Sequence, residues 1–308
     1  MIVPASRSAL KFQTELSNDS KAKVSLVVCT RNRPRQLQNC MVAIGRLDPR
    51  PDEVLVVDNT EGNEETKQIA MGVGARYVTA PIRGLSRARN RGLAESQGEI
   101  VAFVDDDALP TTGWLGRILE PFADPKVAGV TGDTVTCEAA ANASMERPSR
   151  SLSNQDPLWF EIANFGGLGF GTNMALRKEY CRGDRFFDER LGRGAPISIA
   201  EESHAFTRLL SSGYHAVHVP AAVVLHPDKP RDVQMEATTS FAYWLFLFFN
   251  FPSHRSDLLR FLGRRLRRKP LSWPRDPQGP GEVISSGLWV KLKATIAGLF
   301  LFLRASMH

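Results

Sequence analysis

A chain of 308 residues with 43% hydrophobic side chains is long and apolar enough to bury a sizeable core, which excludes wholesale disorder. Its net charge of +6 and isoelectric point near 9.3 favour anionic partners such as nucleotide phosphates, nucleic acid or acidic lipid. Cys29, Cys40, Cys137 and Cys181 lack the paired spacing of zinc or redox sites, and the first residues carry Arg7, Lys11 and Glu15 in place of an apolar leader, so a reducing, cytoplasmic setting is expected.

Residues 1–22 read as a loosely ordered arm. From residue 24 onward, short β-rich runs alternate with helical segments. Residues 24–29 predict a strand, 34–44 a helix, 53–57 a strand and 64–71 a polar helix. Residues 75–78 predict a third strand, 86–96 a third helix and 99–104 a fourth strand. The strands are apolar throughout rather than alternating, as expected where helices cover both faces of a sheet. This order predicts a right-handed, mainly parallel α/β sheet. Residues 137–156, rich in Ala, Asn, Ser, Pro and Arg, read as a surface loop. Order is expected to return at 165–177, followed by a helix at 201–212 and strands at 216–219 and 222–225.

The chemistry concentrates at strand ends. Asp105-Asp106-Asp107 follows the fourth strand directly, and ligands of open α/β sheets bind beyond the carboxyl ends of the strands. Three adjacent carboxylates repel one another unless a cation sits among them, and a hard divalent ion meets that need. Alternate residues point the same way, which pairs Asp105 with Asp107. The rival reading is a solvated acidic turn before a helix near Thr112. Asp58 ends the second strand, where an acid is placed either to accept from a ribose or base, or simply to form a turn.

Five stretches together resemble the family 2 glycosyltransferases with their GT-A fold. They are Val24-Ser25-Leu26-Val27-Val28-Cys29-Thr30-Arg31-Asn32-Arg33, Val56-Val57-Asp58-Asn59, Gly84-Leu85-Ser86-Arg87-Ala88-Arg89-Asn90-Arg91-Gly92-Leu93, Phe103-Val104-Asp105-Asp106-Asp107 and Ala200-Glu201-Glu202. The resemblance spans residues 24–226. It implies a mixed, mainly parallel nucleotide-binding sheet over 23–228; beyond the resemblance, residues 229–308 are expected to form a helical appendage. It further implies inverting transfer of a sugar from a nucleotide-diphosphate donor, UDP-sugar by default, to a carbohydrate or lipid-linked acceptor.

The site roles follow from the same resemblance. Thr30, Arg31, Asn32 and Asp58 are expected around the nucleoside, and Arg87 and Arg89 at the ribose or diphosphate, where a guanidinium fork suits phosphate oxygens. Arg91 is either a further positive charge or a solvated helix residue. Asp105 or Asp106 is expected at the ribose. Asp105 and Asp107, with His226, are expected to hold Mn²⁺ or Mg²⁺. This reading requires Asp107 to converge with Asp105 and His226. Asn173, in the Gly-rich stretch 165–175, is expected to hydrogen-bond the donor sugar. Glu202, with Glu201 as the alternative, is expected to be the base. The family usually carries Asp at the second of these positions and again two residues on, where this chain has Glu202 and His204.

Beyond Pro227, residues 241–249 are uninterruptedly apolar, and a basic stretch holds Arg255, Arg260, Arg264, Arg265, Arg267, Arg268 and Lys269. A Pro/Gly-rich linker spans 270–281, and residues 288–303 are apolar apart from Lys291 and Lys293. Neither apolar run supplies the roughly 20 clean residues that cross a bilayer. An interfacial helix on an anionic membrane, at the inner face of the plasma membrane, is one expectation. Packing on the catalytic domain or a homodimer interface is the other. No zinc spacing or aromatic-interleaved basic motif accompanies the basic stretch, so nucleic acid is not an expected partner. A nucleotidyltransferase would carry a Gly-rich loop after the first strand, where this chain has Cys29-Thr30-Arg31-Asn32-Arg33-Pro34.

Overall fold

A computed structural model describes residues 22–136, 147–168, 171–183, 185–227, 232–266 and 288–307. The arm expected at 1–22, Cys137, the first half of the expected loop at 137–156, the basic residues 267–269 and the linker at 270–281 lie largely or wholly outside these residues.

The first half forms as its sequence predicts. Strand β1 (Val24–Thr30) leads to α1 (Pro34–Ile44), β2 (Glu53–Asp58), α2 (Glu64–Gly72), β3 (Arg76–Thr79), α3 (Leu85–Glu95) and β4 (Ile100–Asp105). Local chemistry sets the boundaries. Pro34 opens α1, where its missing N–H costs nothing. Asn63 caps α2 by accepting from the Thr66 amide at 2.9 Å. Strands β3, β2, β1 and β4 lie side by side and parallel, so the ends of β1, β2 and β4 share one sheet edge.

The chain then runs through β5 (Leu109–Pro110), α4 (Trp114–Leu119), β6 (Val127–Val135), β7 (Arg150–Leu152), α5 (Trp159–Phe165), β8 (Asn173–Arg177), α6 (Glu201–Ser211) and β9 (His215–Leu225). Strand β8 is antiparallel to both β4 and β6, while β9 runs parallel to β6, giving a nine-stranded mixed sheet. The two strands expected at 216–219 and 222–225 are one continuous strand, because the register shift against β6 absorbs the interruption at Pro220. Strand β7, inside the expected loop, pairs with β9.

Two apolar clusters fill the opposite faces of the sheet, one around Leu37, Val56 and Trp114, the other around Phe103, Phe187 and Phe206. A third joins the C-terminal helices α7 (Val233–Asn250), α8 (Arg255–Leu266) and α9 (Leu288–Ser306) to the rest of the molecule. The apolar run at 241–249 belongs to α7, and Ala242, Tyr243, Phe246 and Leu247 are buried with Phe160, Leu191 and Ile197. Gly298 of α9 seats against α7, since a Cβ there would lie 2.8 Å from the Thr238 carbonyl oxygen. Among the described residues, no helix is long and apolar enough to cross a membrane.

Candidate active site

The Asp triplet divides its labour. Asp106 is buried; it accepts from Thr30 Oγ1 at 2.7 Å and pairs with Arg33 Nη1 at 2.6 Å. Burial nevertheless holds its carboxyl above the usual carboxylate range, because desolvation outweighs the hydroxyl and the guanidinium while Asp107 and Asp105 add negative charge. Asp105 accepts from Thr172 Oγ1 at 2.9 Å, and Asp107 meets Arg33 Nη2 at 3.0 Å. Ligand atoms of Asp105, Asp107 and His226 all lie within 4.8 Å of one another. His226 reaches this edge because β9 runs beside β6 and ends there.

These residues fit a divalent ion. His226 Nδ1 lies 2.8 Å from the Pro227 carbonyl oxygen, a contact that requires Nδ1 to carry a proton. In the neutral ring, Nε2 then turns its lone pair toward Asp107 Oδ1, 3.2 Å away. Two acceptors face each other, and a cation between them removes the conflict. A ring nitrogen fixed by a backbone carbonyl on its far side is how metal-bound histidines are oriented. One imidazole and two carboxylates suit Mn²⁺, and Mg²⁺ if oxygen ligands predominate.

Arg89 occupies a different place from the one expected. It is 2% exposed, with Nη1 2.6 Å from Glu201 Oε1 and Nη2 3.3 Å from Asp105 Oδ1. Its fork ties the acid at the start of α6 to the acid at the end of β4, so it does not point a free guanidinium at a diphosphate. Two glycines make room for it. A Cβ on Gly171 would collide with the Arg89 guanidinium. A Cβ on Gly192, whose φ is +92°, would lie 2.9 Å from Glu201 Cδ.

Glu202 differs from its neighbour. Its Oε2 is buried with no hydrogen-bond partner, and its carboxyl is held well above the usual carboxylate range by burial and by the charge of Glu201, against the opposing pull of Arg89. His204, two residues further along α6, is buried in edge-to-face contact with Phe246 and Phe251 at 5.5 and 5.8 Å between ring centres. A carboxylate at that position would face aromatic rings of α7 and the following turn, which accounts for the histidine.

Asn173 is a correction. It is fully buried, accepting from Trp114 Nε1 at 2.8 Å and donating to the carbonyls of Asp133 at 2.7 Å and Ala222 at 2.8 Å. Its amide bolts β8 to β6, β9 and α4, leaving nothing for a sugar. Arg87 pairs with Glu189 at 2.8 Å, and Arg91 is a solvated helix residue paired with Glu95. Asp58 is fully buried and accepts from Tyr77 Oη at 2.7 Å, Thr60 Oγ1 at 2.8 Å and the Asn63 amide at 3.0 Å, which fixes the loop after β2. Asn32 is exposed with φ +54°, and the exposed Arg31 donates to the Asn59 carbonyl.

The sequence reading missed Arg33, Thr172 and the buried pair Asp133–His218, whose Oδ1 and Nε2 are 3.0 Å apart. Arg33 had a signal: it lies three residues beyond Thr30 at the same sheet edge as the Asp triplet. The thiol of Cys29, next to this edge, is pushed up to about 12 by burial and the nearby aspartates, and is chemically quiet.

A groove of about 1350 Å³ opens between the loop that leads into α3, residues 185–199 and the helices α7 and α9. Asp105, Asp107 and His226 do not line it, but it adjoins their site: the Leu85 amide at the start of α3 donates to the Arg193 carbonyl at 2.9 Å, and Gly192 abuts Glu201.

Glycosyltransferase AglE of Haloferax volcanii is 26% identical over 216 residues, covering 67% of each chain. A pre-mycofactocin glycosyltransferase of Mycobacterium tuberculosis is 27% identical over 227 residues, 70% of this chain but 45% of that one, so this chain spans less than half of that relative. Among solved structures, mannosyltransferase PcManGT from Pyrobaculum calidifontis, in complex with GDP-Man and Mn²⁺, matches 93% of this chain and 73% of its own at TM-score 0.51 and 20% identity, a likeness of fold. The fold is that of the GT-A glycosyltransferases. The profile of Glycosyl transferase family 2 matches residues 25–183, more than half of the sequence, and the chain belongs to that family of glycosyltransferases.

Proposed function

We propose that this glycosyltransferase is metal-dependent and inverting, moving a sugar from a nucleotide-diphosphate donor, UDP-sugar by default, to a hydroxyl of a carbohydrate or lipid-linked acceptor. The observation that carries the reading is the convergence of Asp105, Asp107 and His226 on one point, with the Glu201–Glu202 pair tied to them through Arg89. Asp105, Asp107 and His226 would hold Mn²⁺ or Mg²⁺, which when bound neutralises the departing nucleoside diphosphate. Thr30, Arg31 and Asn32 rim the nucleoside side, and Asp58 holds the adjoining loop.

Glu202 takes the acceptor hydroxyl proton as the new bond to the anomeric carbon forms and the bond from that carbon to the diphosphate oxygen breaks. Burial and the charge of Glu201 raise the pKa of Glu202, which makes it a stronger base than an exposed carboxylate. Arg89 pairs with Glu201 beside it, and so shapes the field at Glu202. In this reading residues 23–228 form the catalytic unit and 229–308 supply acceptor, membrane-surface or dimer contacts.

The test is a thermal-shift panel of nucleoside diphosphates with and without Mn²⁺. One nucleotide should stabilise the protein only with metal, by about 2.7 kcal/mol at a hundredfold excess over Kd, and Asp107→Ala should abolish the effect. Glu202→Gln should retain that binding and lose roughly 10²–10⁴ in kcat. Metal-independent stabilisation, or full turnover in Glu202→Gln, overturns the reading.

A further inference from the structure

The acids that face the metal point are not anchored alike. Asp105 belongs to β4, whose register against β1 fixes its backbone, and its carboxylate is held by Thr172 Oγ1 at 2.9 Å and Arg89 Nη2 at 3.3 Å. Asp107 lies two residues past the strand, in the turn that the Ala108 amide closes on the Asp105 carbonyl at 3.1 Å. It stands beyond the ladder, so strand pairing does not set the direction of its side chain. Its Oδ1 nonetheless faces His226 Nε2 at 3.2 Å, while its Oδ2 meets Arg33 Nη2 at 3.0 Å.

Arg33 is placed to hold that direction. It is the N-cap residue of α1, pinned by Pro34 after it and by the Leu37 amide, which donates to its carbonyl at 3.0 Å. Leu37, Cys40, Met41 and Ile44 bury α1 in the core, so the root of the Arg33 side chain is fixed. Its other nitrogen, Nη1, lies 2.6 Å from Asp106 Oδ1, and buried Asp106 is anchored in turn by Thr30 Oγ1, 2.7 Å from Oδ2. The guanidinium therefore spans two carboxylates. Asp106 sets its plane, and the plane sets Asp107. A rigid fork transmits orientation in this way, whereas an ammonium does not.

We propose that Arg33 is a positioning residue for the divalent ion: by bridging Asp106 and Asp107 it turns Asp107 Oδ1 toward His226 Nε2 before the ion arrives. This rests on the metal-dependent reading above, and in it the middle acid of the triplet serves as the anchor of the fork. Arg33 acts on the ion in two opposed ways. Its charge repels a dication, so that removing it tightens binding. Its fork orients a ligand, so that removing it loosens binding. The sign of the change separates the two, and the proposal commits to the second.

The experiment titrates Mn²⁺ into the full chain without nucleotide, counts the free aquo ion by its electron paramagnetic resonance signal, and follows denaturant unfolding of each variant. Arg33→Ala should weaken Mn²⁺ binding by about tenfold or more. Arg33→Lys keeps the charge but offers one ammonium to two carboxylates, and should stay about threefold or more weaker than wild type. Arg91→Ala removes an equal charge from a solvated helix face and should leave the affinity unchanged. Arg33→Ala binding Mn²⁺ as tightly as wild type, or more tightly, overturns the proposal. So does full recovery in Arg33→Lys, which makes charge alone the agent, and so does an equal loss in Arg91→Ala. Where Arg33→Ala fails to unfold cooperatively, Arg33→Lys decides: weakened binding supports the proposal and wild-type affinity overturns it. A wild type that binds no Mn²⁺ removes the metal-dependent reading and this proposal with it, whereas a wild type that binds and an Arg33→Ala that matches it removes the proposal alone.

Discussion

Two polar regions lie within one sheet's breadth of each other and are built on opposite terms. At the carboxyl edge, Asp105, Asp107 and His226 turn like-natured acceptors toward one point. Behind them, Asn173, Trp114, Asp133 and His218 close every contact on the protein itself. Saturated hydrogen bonds hold strands in register. Crowded acceptors cost stability until a cation arrives, so the edge binds while the interior braces. Arg89 belongs to both, and removing it tests the division most severely. Arg89→Ala removes the ion-pair partner of buried Glu201 and of Asp105 together, and should cost about 3–5 kcal/mol in denaturant unfolding. It should also lower kcat, whereas a purely structural salt bridge would leave kcat intact in the folded fraction.

Asn173→Ala sharpens the contrast from the other side. It leaves the Trp114 indole N–H and two strand carbonyls without partners, and should cost about 3–4 kcal/mol. Because the amide has no contact to offer a ligand, KM for the donor should stay within about twofold at temperatures where the variant is folded. A large rise in KM with unchanged stability would return Asn173 to the sugar site.

What the sequence made legible was local. Strands β1 to β4 and the helices between them appear where unbroken apolar runs and caps predict them, because strand burial and helix starts are written in neighbouring residues. The Asp triplet was readable because its strand is. The pairing of Arg89 with Glu201 was not, since 112 positions separate them and only the turn of the chain through β8 and α6 brings them together. Asn173 misled for a related reason: a polar residue beside glycines looks the same whether its amide faces a ligand or two strands and a helix. The C-terminal helices showed their apolar faces plainly, but which face meets α5 and α6 and which stays outside depends on packing that periodicity does not encode.

The smallest effect at neutral pH concerns His204, where that appended packing meets α6. Burial pushes its imidazole from the ordinary 6.5 down to about 4, with the nearby Asp188 opposing and Arg208 and Arg190 assisting the shift. The unfolded chain therefore takes up this proton before the folded one does. Stability contributed by the neutral ring is fully present above about pH 6.5 and is lost progressively as pH falls toward 4, reaching roughly 3 kcal/mol at 1.36 kcal/mol per pKa unit. His204→Leu keeps an apolar side chain against Phe246 and Phe251 and removes the titration. Its stability should lie within about 1.5 kcal/mol of wild type at pH 7.5, and the two should diverge in the variant's favour between pH 6.5 and 4. Parallel curves across that window would mean that the histidine is solvated in solution and that α7 does not seal α6 as the packing of Phe246 and Phe251 requires.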